Sequence, residues 1–126
     1  MAAYYGYFGE GQALARMGRQ RRSEALESLH QAYRLLWAVG DRNYITQVRE
    51  ELQRLGERYL SEDSLQDTVA FHQRQIHLLQ QLGDAEGEGW VLLDLGKAHY
   101  NQREYTNAIE THTRMLQIAQ IGRAHV

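Results

Sequence analysis

An all-α fold, with helices packed in antiparallel pairs, is what this 126-residue chain predicts. Three observations lead there. The chain repeats itself: Leu52, Leu55, Gly56, Leu60, Leu65, Val69, His72 and Ile76 return forty positions later as Leu92, Leu95, Gly96, Tyr100, Tyr105, Ile109, His112 and Leu116. Both copies place apolar residues at the i, i+3, i+4, i+7 spacing of one helix face. There is no proline, the residue that removes a donor and clashes inside a helix. Pairs of this kind cannot bury their apolar faces alone, so they stack as a solenoid of about three repeats, near 3–40, 41–83 and 84–120.

The first helix is expected within Ala3–Gly18, weakened by Gly6, Gly9 and Gly11, each costing about 1 kcal/mol against Ala in a helix interior. Arg19–Arg22 reads as a turn, with Ser23 capping a second helix, Glu24–Val39. Its buried face is Ala25, Leu26, Leu29, Ala32, Tyr33, Leu36 and Val39. Gly40-Asp41 then stops one helix and starts another: Gly accepts the left-handed conformation, and the Asp side chain bonds N–H groups of the next first turn. Gly83-Asp84 repeats the device.

The third helix, Asn43–Leu60, buries Ile45, Val48, Leu52, Leu55 and Tyr59. Ser61-Glu62-Asp63-Ser64 is a polar turn, and Ser64 with Asp67 resembles a capping box. Leu65–Leu82 follows with Leu65, Val69, Ile76, Leu79 and Leu82 inward. The fifth helix, Glu86–Tyr100, carries Leu92, Leu95 and Ala98, and Gly87 and Gly89 weaken its start. After a turn at Asn101–Glu104, the last helix, Tyr105–Gln120, directs Ala108, Ile109, Leu116 and Ala119 inward. Gly56 and Gly96 lie mid-helix, where a close approach of the partner helix offsets their cost.

The composition narrows the function. The formal charge is −2, which points to neither a nucleic-acid nor a membrane partner. No apolar run is long enough for a bilayer span. Absence of cysteine excludes a disulfide scaffold and thiol-based sites, and fits a cytoplasmic setting. Met1-Ala2-Ala3-Tyr4-Tyr5-Gly6-Tyr7-Phe8 lacks the basic start and cleavage site of a signal peptide. At the other end, Ile121-Gly122-Arg123-Ala124-His125-Val126 resembles the translation of a widely used sequencing adapter. The expectation is a repeat domain over 1–120, cut from a longer protein, with 121–126 a non-native tail.

No catalytic, cofactor or metal constellation emerges. His72 and His77 are five apart, on different helix faces, whereas chelation favours i, i+4. They read as packing residues. Arg16, Arg19, Arg21 and Arg22 read as a solvated basic turn. Glu50, Glu51, Glu57, Asp94 and Glu110 have no nucleophile beside them and read as solvated faces. Gly9-Glu10-Gly11 lacks the remaining glycines and Lys of a phosphate loop. An enzyme is not expected.

These spacings are similar to the tetratricopeptide repeat: a large apolar residue, Leu-Gly and an aromatic in one helix, then Ala and an aromatic in the next. Leu92, Leu95-Gly96 and Ala108 fill the places in the last repeat. Leu52, Leu55-Gly56, Tyr59 and Phe71 do similar work in the middle one, with Thr68 for the Ala. The first repeat keeps Ala25 and Leu26. His72, His99 and His112 stand where aromatics are usual, and the closing Pro is missing. The period near forty looks like the longer variant of bacterial signalling proteins and Leu-Gly-Asn scaffolds.

The resemblance implies a right-handed superhelix that binds a protein or peptide in its concave groove. Groove positions would be Glu50, Gln53, Glu57 and Ser61 in the middle repeat, and Trp90, Leu93, Lys97 and Asn101 in the last. Trp90 is the foremost anchor, since an exposed Trp buries a large area against a partner. The alternative is that Trp90 and Leu93 pack on a neighbouring repeat. The acidic positions favour a partner with basic and apolar residues. A second reading is a regulatory sensor region of a bacterial signalling ATPase or transcription regulator. An uncapped terminal helix would also favour self-association.

Overall fold

Six α-helices run through residues 3–124, the part of the chain that the computed structural model describes, with side chains up to Ile121. They are α1 (Ala3–Arg16), α2 (Arg22–Val39), α3 (Arg42–Glu62), α4 (Leu65–Leu82), α5 (Ala85–Asn101) and α6 (Tyr105–Ala124). The described residues contain no strand. Of the tail expected over 121–126, His125 and Val126 lie outside the described residues, and the backbone of α6 continues through Ala124.

The chain divides into two compact units, Met1–Glu57 and Arg58–Val126. In the first, α1 packs along α2. Gly11 allows the close approach: a Cβ there would lie 2.7 Å from Leu29 Cδ2 and 3.2 Å from the Leu29 backbone nitrogen. The glycine expected to weaken α1 is thus the point where two helix backbones come together. Ala25, Leu26, Leu29, Ala32, Tyr33, Leu36, Ile45 and Val48 are all buried. The Tyr33 hydroxyl accepts from Arg49 Nε at 2.9 Å, which leaves this buried ring with a satisfied polar end.

In the second unit, α5 packs on both α4 and α6. Phe71, Leu78, Leu79, Leu92, Leu95, Ala98 and Ala108 form its apolar interior, and Tyr59 stacks on Phe71 with ring centroids 4.7 Å apart. Gly96 repeats the role of Gly11, facing the His112 ring of α6.

The helix joints follow the chemistry of their residues. Gly40 and Gly83 are left-handed, at φ 78° and 73°. The N–H of Asp41 reaches back to the Leu36 carbonyl at 3.1 Å, and that of Asp84 to Leu79 at 2.9 Å, closing both ends in the Schellman manner. Asp41 Oδ1 then accepts from Tyr44 N at 3.0 Å and Asp84 Oδ1 from Gly87 N at 2.9 Å. Ser64 Oγ accepts from Asp67 N at 3.1 Å, the serine half of a capping box.

Four local expectations are corrected. Ser23 caps nothing: Arg19–Arg21 form a 3-10 turn, α2 begins at Arg22, and its start has no side-chain cap. The basic turn is not uniformly solvated, because Arg22 is buried and Arg21 pairs with Glu24 at 2.8 Å. Val39, the last residue of α2, is exposed. In α6, Ile109, Leu116 and Ala119 are exposed, and the inner side is Ala108 with half-buried Thr111, His112, Met115 and Ile118. At about 100° per residue, Ala108, Thr111, Met115 and Ile118 lie to one side of His112 and Ile109 and Leu116 to the other, so His112 stands at the edge of the inner side.

Candidate partner-binding cleft

The start of α5 and the second half of α6 enclose an almost wholly apolar cleft of about 420 Å³. Ala85, Glu86, Gly89, Trp90 and Leu93 line one wall, and Met115, Ile118 and Ala119 the other. Asp84 and Gly83 set where α5 begins, so they position Trp90 on its second turn. A Cβ on Gly89 would meet no atom within 4 Å other than those of its own stretch of α5. The Trp90 side chain is 57 % exposed. A large aromatic left this open beside an apolar hollow suits burial against another molecule.

The cleft gathers two of the eight sequence-predicted positions, Trp90 and Leu93. Lys97 and Asn101 continue their stripe of α5 at i+7 and i+11 from Trp90, exposed and outside the lining. Glu50, Gln53 and Glu57 are exposed along α3 in the first unit. Ser61 is exposed in the second unit, its hydroxyl donating to the Arg58 carbonyl at 3.3 Å. Met115 and Ile118 were missed. Their counterparts forty positions earlier, Gln75 and Leu78, are both buried, but the polar Gln75 gives no apolar signal in the sequence.

Polar groups hold the cleft walls in place. Glu88, buried, accepts from Gln80 Nε2 at 3.1 Å and lies 3.6 Å from Arg114 of α6, so one carboxylate ties α4, α5 and α6. Satisfying a buried carboxylate this way avoids the cost of an unpaired charge. Beyond the cleft, α6 exposes Tyr105, Ile109, Leu116 and Ile121.

The histidines sit inside the packing. His72 Nδ1 is 2.7 Å from the Thr68 carbonyl, so that nitrogen carries the proton and donates. Burial pushes the His72 pKa below the ordinary imidazole value; the bond to Thr68 opposes this and nearby His99 adds to it. His99 Nδ1 lies 3.4 Å from Glu104 Oε1. His112 Nε2 is buried against Gly96 without a hydrogen-bond partner. Among the described residues no three His, Asp or Glu side chains converge as a metal site, and no helix is long and apolar enough to cross a membrane.

Comparison of the chain with protein-family models, curated proteins and solved structures found no match.

Proposed function

We propose that this chain is a tetratricopeptide-like interaction scaffold that binds an apolar helix or peptide of a protein partner. The observation that carries the reading is the apolar cleft with Trp90 open at its wall. The mode is helix-in-groove recognition, in which a preformed surface receives apolar anchors at helical spacing and charged rims set specificity. The recurring contacts, Gly11 on Leu29 and Gly96 on His112, and the twin Gly-Asp joints support helix pairs built to one plan. In this proposal the pairs follow a right-handed superhelix and act in the cytoplasm. Trp90 and Leu93 provide the apolar anchor, Lys97 and Asn101 extend the site, and Glu50, Gln53, Glu57 and Ser61 belong to the groove of the middle repeat.

Selection from a displayed library of amphipathic helical peptides tests this. Binders of the full chain should lose at least about ten-fold in affinity, about 1.4 kcal/mol, with Trp90→Glu or Leu93→Glu. Binders indifferent to both substitutions would remove the cleft from the function.

A further inference from the structure

The joint between α5 and α6 copies two others in its hydrogen bonds but not in its residues. Gly40, Gly83 and Arg103 all sit in the left-handed region, at φ 78°, 73° and 63°. One residue on, the N–H groups of Asp41, Asp84 and Glu104 reach back to the carbonyls of Leu36, Leu79 and His99, the last at 2.8 Å. Among the described residues Arg103 is the one non-glycine at positive φ. Its Cβ crowds the following carbonyl oxygen, a conflict that glycine escapes. The turn that closes α6 onto α5 therefore holds strain that the two glycine joints lack.

The start of α6 differs as well. Asp41 and Asp84 each accept a backbone N–H of the next first turn. Glu104, in the same place, sends its longer carboxylate elsewhere: Oε1 lies 3.4 Å from Nδ1 of buried His99, and Oε2 accepts from the Asn107 side-chain amide at 3.3 Å. This carboxylate ties the last turn of α5 to the first turn of α6, across the strained residue. Farther along, the His112 ring lies over Gly96 with Nε2 buried and unpartnered. Beyond it, exposed Arg114 reaches Glu88 at 3.6 Å. Glu88 keeps its Gln80 partner on α4 if Arg114 leaves, so parting α6 from α5 strands no buried carboxylate.

The cleft lies at the end of α5 and α6 remote from this joint. A turn about residue 103 therefore moves its α6 wall farthest. We infer that Arg103 is the hinge of a movable α6, with the His99–Glu104 pair as its catch, so that this joint sets how wide the cleft opens. When Arg103 relaxes out of the left-handed region, the catch parts and α6 swings from α5 while α4 and α5 stay packed. The hinge stands on the joint alone; its effect on the cleft rests on reading the cleft as a binding surface.

Distances between paired spin labels on the full chain test it. The chain has no cysteine, so labels attach only where one is introduced. Gln81→Cys with Gln117→Cys reports α6 against α4, and Gln73→Cys with Lys97→Cys reports α5 against α4; all four positions are exposed. The first pair should show a longer distance besides the closed one, and the second pair a single distance. Arg103→Gly should cut the longer fraction about ten-fold, whereas Arg103→Ala, which keeps the Cβ, should leave it unchanged. Glu104→Ala should enlarge it, and Glu104→Gln repeats that arm should the alanine variant unfold. A single distance for the first pair in both wild type and the Glu104 variant would overturn the hinge, as would equal effects of Gly and Ala at 103. A peptide selected for the cleft should draw the first pair to one distance; binders that leave both distances in place would overturn the link to the cleft. A chain that opens in this way but selects no helical peptide would uphold the hinge and overturn the reading of an external partner.

Discussion

The His112 ring stands where a side chain on Gly96 would have to go: a Cβ there would lie 2.6 Å from His112 Cδ2. α5 and α6 are therefore held together by a ring fitted over a missing side chain, and the ring nitrogen Nε2 is buried without a hydrogen-bond partner to achieve it. Gly96→Leu is expected to destabilise by about 1–3 kcal/mol through overpacking, seen as a lower urea midpoint at unchanged slope. In a His112→Ala background, Gly96→Ala should instead gain up to about 1 kcal/mol, the helix-propensity difference alone. Coupling below about 0.3 kcal/mol in the double-mutant cycle would show that the two sites are independent.

The glycines of α1 should respond oppositely to one substitution. Gly11→Ala drives a methyl into Leu29, including its backbone nitrogen, which cannot swing aside as a side-chain tip can. A loss of about 1–3 kcal/mol is expected. Gly6→Ala and Gly9→Ala meet open space and should each stabilise by about 0.5–1 kcal/mol. Thermal melts of the three variants would decide it; a common sign for all three would contradict the packing of α1 on α2.

His72 makes stability depend on pH. Burial holds its folded pKa below the unfolded value of about 6.5, so the unfolded chain takes up the proton first as pH falls. The neutral ring's contribution is fully present above that value and is lost as pH drops through it toward the folded pKa. Urea unfolding at about pH 7.5 and about pH 5.5 should show a smaller difference for His72→Phe than for wild type. An unchanged difference would place the titration elsewhere.

The two junction aspartates should differ in weight. Asp84 is buried and Asp41 half-buried, yet each accepts one first-turn N–H. Asp84→Ala is expected to cost about 1–2 kcal/mol and Asp41→Ala about 0.5–1 kcal/mol, because water substitutes for the cap only where it can reach. Equal losses in chemical denaturation would refute that ordering.

Local backbone chemistry was the most legible layer of the sequence. The Gly-Asp joints, the Ser64 cap and the span of α4 follow from residue types whose dihedral and hydrogen-bond preferences act within a few positions. Periodicity was less decisive where a helix is apolar on more than one side. On α6, Ile109 and Leu116 lie on one side of His112 and Met115 and Ile118 on the other, and the spacing alone does not say which side is covered. The same limit left Trp90 and Leu93 with two readings, since spacing places them on one side of α5 without saying what stands opposite. Arg22 was misread because a run of like charges says nothing about one member turning inward.

Gly40-Asp41 and Gly83-Asp84 carry a consequence for how this chain could lengthen. Each joint combines a complete stop signal with a complete start signal in two adjacent residues. A duplicate of 41–83 spliced in after Gly83 would bring its own beginning and its own end, and both new seams would be Gly-Asp again. The unit of growth is a pair of successive helices that travels with its own punctuation.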